Sequence, residues 1–342
     1  MAGIQYAGEY EIEELTLKAS SGQMINFLEE PFDNVVQQLI IYENIFSPDM
    51  TGQITLLDVD SLVLNMPIIG QEYLKFKIKT ASFGEEKEGI IDYTKHAMYI
   101  YKIDSRFMVD NVELISLHFT SLERMRDSRT KVSKSYTNSI DKIVIDVLQN
   151  KKYINSKKDL FIDKTVGTRK IIAPNSSPFT FIQKLATESI SAKNKGSPYF
   201  MFFENKDGIH FRSLNNLYEQ PVIAEYNTGK FSHQEDSGTV VTDVLDEYGR
   251  PISHEIPPSL DMLGNIIGGM VGSKLITHDI YKKNYKIKDY RYLRDFDEYG
   301  RLSPNPIYNN NRVDDTDQPV DNFTNASIHL HPTSKVGEND AQ

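Results

Sequence analysis

The chain has 342 residues, no cysteine, no tryptophan and a formal net charge of −10. Without cysteine it has no disulfide, no thiolate metal site and no cysteine nucleophile, and it fits assembly in a reducing cytoplasm. An acidic balance gives phosphate backbones no general attraction, which counts against sequence-specific nucleic-acid binding and leaves only passive contact with DNA, as in a conduit.

The length predicts two or three domains. No run of about 18 apolar residues is present to insert in a membrane, and the opening "MAGIQYAGEYEIEE" lacks the basic and apolar regions of a secretory signal. Residues 1–125 read as almost all β. "YEIEELTLK" changes phase midway: Tyr10 and Ile12 share one parity, Leu15 and Leu17 the other. Such a slip predicts a β-bulge or burial on both faces. "LIIYENIFSPDMTGQITLLDVDS" (39–61) reads as two strands around a turn, apolar on both parities. In "EYLKFKIKT", Leu74, Phe76 and Ile78 take one side and Tyr73, Lys75, Lys77 and Lys79 the other. "AMYIYKI" is two-sided, and "NVELISLHF" slips phase between Leu114 and Ile115. Many bulged strands and little helix predict a small barrel or sandwich.

The basic, polar "SLERMRDSRTKVSKSYTNS" reads as a boundary. Beyond it, Ile140, Ile143, Val144, Val147 and Leu148 form one helical stripe, with Asn138 or Ser139 as cap. Ser177 and Pro178 open a second helix with Ile182, Leu185 and Ala186 inward. "SPYFMFFENKDGIHFRSL" is a hairpin about Asp207-Gly208. Residues 126–228 thus form a small α/β module. Residues 229–342 are rich in Gly, Pro and Ser, with strand-like pieces at "TVVTDVLD", "SKLITHDIYKKNYKIKDY" and "ASIHLH" and a tail at "TSKVGENDAQ". "DEYGR" occurs at 246–250 and 297–301 and reads as two glycine turns. The fold class is α+β, mainly β.

The chemical motifs fail one by one. His329 and His331 sit two apart, but two histidines do not fill a metal shell. "GGMVGSKL" has the order Gly272-Ser273-Lys274 rather than that of a phosphate loop, and reads as a flexible loop. "DDTDQP" has Pro319 where a calcium loop needs glycine. No Gly-x-Ser-x-Gly elbow is present. No catalytic, cofactor or metal residue is therefore assigned. The two-sided strands point instead to a sheet covered by another subunit. Large apolar groups at a turn tip suggest a contact, so Phe46 and Met50, with Ile41 and Leu57 on the flanking strands, are the predicted interface residues. The alternative for Met50 is that it caps its own barrel.

"QQLIIYENIFSPDMTGQITLLDVDSLVLNMPIIGQEYLKFKI" resembles the first barrel of the central baseplate hub proteins of contractile-tailed, T-even-like bacteriophages. "NVELISLHFTSLERM", "SIDKIVIDVLQN", "SSPFTFIQKLA" and "YFMFFENKDGIHFRSL" follow in the family's order, and the likeness covers roughly residues 9–300. The resemblance implies a tube-like β-barrel (1–125), the α/β module (126–228) and a second barrel (229–342). The chain turns to loop after "DYRYLRDFDEYG", so that barrel is expected to be partial, with completion by another chain or an early stop of the sequence as the alternatives. It also implies a structural virion protein, assembled in the host cytoplasm as a homotrimeric ring joining a sixfold tail tube to a threefold central spike. Tail-tube initiator proteins, tape-measure protein and baseplate wedges would be its partners, with DNA passing through unbound. The rival readings are a neighbouring tube or baseplate component and a tail-associated cell-wall hydrolase.

Overall fold

The computed structural model describes residues 10–19, 21–58, 68–80, 89–109, 112–193, 197–222, 233–234, 240–241, 253, 255, 261–279, 283–299, 301–308 and 319–333. Its first eight strands are β1 (Glu11–Lys18), β2 (Met24–Asn26), β3 (Val36–Tyr42), β4 (Thr51–Asp58), β5 (Tyr73–Lys79), β6 (Ile90–Asp92), β7 (Met98–Val109) and β8 (Val112–Thr120). They form one antiparallel sheet in the order β2-β1-β5-β7-β8-β4-β3, with β6 on β5. Among the described residues this path ends at β2 and β3, so the sheet is a curled half-barrel. Its concave face is the first core, built by strict alternation: Leu15 and Leu17, Ile54 and Leu56, Leu74 and Phe76, Met98 and Ile100, and Ile115, Leu117 and Phe119.

The phase slip in β1 is a register shift against β5 between Ile12 and Glu14, as the sequence predicts. The slip at Leu114–Ile115 has a different origin. β8 pairs with β4 without a break, and the irregularities lie in its other partner, β7, between Ile100 and Lys102 and between Ile103 and Arg106. Gly52 is required by packing: a Cβ there would overlap the Phe119 ring and the Ile40 carbonyl.

The stretch read as a boundary is a helix, α1 (Leu122–Arg129). Its acids Glu123 and Asp127, four residues apart on one face, are buried. The module that follows contains β9 (Ser135–Asn138), α2 (Ile140–Gln149), β10 (Leu160–Ile162), β11 (Arg169–Ile172), α3 (Pro178–Thr187), β12 (Phe200–Asn205), β13 (Gly208–Ser213) and α4 (Leu214–Tyr218). α2 buries the five residues of its predicted stripe, α3 buries Ile182, Leu185 and Ala186, and both pack into a second core with Phe202 and Phe211. β12 and β13 pair across Asn205 and Gly208, and β10 joins β13 in parallel.

Near the C-terminus come the short pair β14 (His233–Gln234) and β15 (Val240–Val241). They are followed by α5 (Met262–Ile267), β16 (Gly272–Asp279), β17 (Asn284–Arg291), α6 (Tyr292–Asp295) and β18 (Ile328–Thr333). β16 is central, antiparallel to β17 and parallel to β18. Two local readings are corrected here. Gly272-Ser273-Lys274 opens strand β16 rather than a loop, and residues 262–267 form a helix that its internal Gly264 obscures in the sequence; Asp261 caps it by accepting from the Gly264 N–H at 2.9 Å.

Candidate functional site

The half-barrel and the module meet at a seam made of charge. Met50 begins just before β4, Ser121 precedes α1, and Glu123 lies in its first turn. Ser156 and Lys158 lie in the connection from α2 to β10, and Glu204 lies on β12. Lys158 pairs with both acids: its Nζ is 3.2 Å from Glu123 Oε2 and donates to Glu204 Oε1. Ser121 Oγ donates to Glu204 Oε2 at 2.7 Å, and the Met50 N–H approaches the same oxygen at 3.4 Å. Ser156 Oγ donates to Glu123 Oε1 at 2.7 Å. Glu204 is 1% exposed and Glu123 3%.

Two carboxylates and one ammonium out of water cost desolvation energy, which mutual attraction offsets only when the remaining lone pairs are satisfied. The two serines and the Met50 amide serve that purpose. Burial pushes the Glu204 carboxyl up, and the nearby Glu123 charge adds to this, so that it lies above the usual value despite Lys158. Burial acts the same way on Glu123, but Lys158 and Ser156 outweigh it and hold that carboxyl low. Burial disfavours the charged form of Lys158, yet the two acids raise its pKa overall. The arrangement clamps two cores together. The ammonium bridges the two carboxylates.

Sequence reading missed this cluster, although one signal was there. In "YFMFFEN" the inward parity runs Phe200, Phe202, Glu204, which puts a carboxylate on the buried face.

The predicted interface residues divide. Phe46, in the turn between β3 and β4, is 75% exposed; its N–H donates to Asn44 Oδ1 at 2.9 Å. Leu57 is half-buried and points away from the core that takes Leu56. Met50 and Ile41 face their own chain, Met50 as the alternative reading had it. Met50 is fully buried, Tyr93 Oη donates to its Sδ at 3.0 Å, and Thr120 Oγ1 donates to its carbonyl at 2.9 Å. Ile41 packs on the first core. The hairpin also touches the module, where the Lys206 N–H donates to Glu43 Oε1 at 2.8 Å, and Met50 caps its own barrel.

His329 and His331 lie exposed on β18, with His329 Nε2 3.1 Å from Ser327 Oγ. Among the described residues no group of three His, Asp or Glu is placed to hold a metal. Lys274 Nζ donates to Asn325 Oδ1 at 2.8 Å. The acidic loop at 314–318 and the first "DEYGR" lie outside the described residues.

No family model matches the chain. The chain is similar to a probable baseplate hub protein of Vibrio phage KVP40, 22% identical over 320 residues that cover 90% of this chain and 70% of that one. The resemblance read from the sequence therefore stands. Among solved structures, a tail protein of Neisseria meningitidis matches at a TM-score of 0.44 and 9% identity, covering 96% of this chain and 72% of that one. A 43 kDa prophage tail protein of Shewanella oneidensis matches at 0.39 and 10% identity, covering 58% of this chain; this chain spans only 54% of its length.

Proposed function

We propose that the chain is a structural protein of a contractile phage tail, the central baseplate hub, and has no catalytic role. Three copies form a ring that joins the sixfold tube to the threefold spike, and DNA passes through it without specific binding. What carries this reading is the likeness to a named hub protein across 90% of the chain. The surfaces agree with it. The exposed Phe46 and the outward, half-buried Leu57 leave apolar groups on the outside of the half-barrel. The last sheet exposes Tyr285, Ile287, Ile328 and Leu330 as well. Exposed apolar groups gathered in patches mark contact surfaces. Tube initiators, tape-measure protein and wedges are the remaining partners of this proposal.

Native mass measurement of the purified chain, alone and with its spike, tests it. A trimer, alone or with the spike, is the expected result. A chain that stays monomeric with its spike, or closes alone into a stable sixfold ring, overturns the hub reading and favours a tube component. Phe46→Asp should weaken that assembly while leaving the melting temperature of the single chain unchanged, since the residue is exposed. Cell-wall clearing by the pure protein would instead establish a hydrolase.

A further inference from the structure

Beside the buried clamp lies a pocket of about 350 Å³ that the hub reading does not use. Strand β7 and the turn before it supply Lys95 and Tyr99, α1 supplies Arg126 and Glu123, and the α2–β10 connection supplies Asn155 and Lys157. We propose that this pocket docks an acidic peptide segment of a partner protein. The inference does not rest on the hub reading, because the pocket shares no residue with the surfaces assigned to ring assembly.

The charges come first. Lys158 also lines the pocket, but its ammonium is neutralised by Glu123 and Glu204. The clamp's two carboxylates outnumber its one ammonium, so of the three other cations one is offset and two positive charges are left over. Arg126 donates through Nη1 to the Ile154 and Asn155 carbonyls at 2.9 and 2.7 Å, contacts that fix the guanidinium without removing its charge. Lys95 and Lys157 are exposed at the rim, and among the described residues neither has an ion-pair partner. In a chain of net charge −10 this is a local reversal of sign, and it selects anionic partners.

A peptide carries several carboxylates on one backbone, which suits cations that come from three separate segments: the turn before β7, α1 and the α2–β10 connection. The volume lies at the small end of ligand pockets, which run about 300–1,000 Å³, and suits a few residues of chain.

The test is fluorescence anisotropy of a labelled peptide alternating Asp and Glu, added to the full chain at low salt. A control peptide with Asn and Gln in place of the acids, oligo(dT) and inorganic phosphate serve as competitors. Saturable binding of the acidic peptide is expected, weakened about tenfold or more in Lys95→Gln/Lys157→Gln, since exposed charges act additively and fade with salt. Absence of saturable binding, equal binding of the control peptide, or affinity unchanged in the double lysine variant overturns the proposal. Displacement of the peptide by phosphate or oligo(dT) at equal charge concentration overturns the peptide assignment in favour of a general polyanion site.

Discussion

Lys158 separates two carboxylates that are nearly closed to water. Lys158→Met leaves them facing each other, and removing one partner of a buried ion cluster costs about 3–5 kcal/mol. The pH dependence has a definite sign. In the native chain Glu123 is held below the ordinary glutamate value of 4.5, so its contribution is present above that pH and lost as the pH falls through the folded value. In the variant, burial and mutual repulsion raise both carboxyls. The folded state then keeps protons that the unfolded chain releases, and stability falls as the pH rises above 4.5. Urea titrations should therefore find the full loss at neutral pH and a much smaller one in acid. An equal loss at both would mean that Lys158 acts by packing alone.

At the level of elements, α3 takes its N-terminal cap from another helix. Ser177 stands at the N-cap position, but its hydroxyl donates to Thr180 Oγ1 at 2.8 Å and makes no cap hydrogen bond. Asp127 of α1 does so instead, accepting from the Phe179 N–H at 2.7 Å while Arg124 Nη1 donates to its other oxygen at 2.9 Å. Losing a cap costs about 0.5–2 kcal/mol, and the N–H left behind is buried. Asp127→Ala should lower the melting temperature by several degrees, Asp127→Asn should recover part of it, and Ser177→Ala should do little. Thermal melts that rank Ser177→Ala above Asp127→Ala would refute this assignment.

On the scale of the whole molecule, two separate apolar cores are joined through α1 and the charged seam. Their stabilities are coupled because Glu204 of the second receives bonds from Ser121 and Met50 beside the first. Calorimetry of the native chain should give a common transition for the two cores. Lys158→Met at neutral pH should split it or broaden it at the low-temperature side, as coupling between units is lost. An endotherm that moves without changing shape would indicate that the seam does not couple them.

The alternation in Leu74, Phe76 and Ile78, the stripe from Ile140 to Leu148, the bulge near Ile12 and the turn at Asp207-Gly208 were all legible in the sequence. Each is a local periodicity or a local backbone preference, which a short window records. The likeness to hub proteins was legible for the same reason, since it is an ordered series of such windows. The direction of Met50 and Ile41 was not, because both parities of that hairpin are apolar and only the packed module decides which side closes. Nor was the clamp. Glu204 and Ser121 lie 83 residues apart, and Glu123 and Ser156 lie 33 apart. A buried carboxylate looks like a surface one in sequence, and only the tertiary fold brings together the donors that let it leave water.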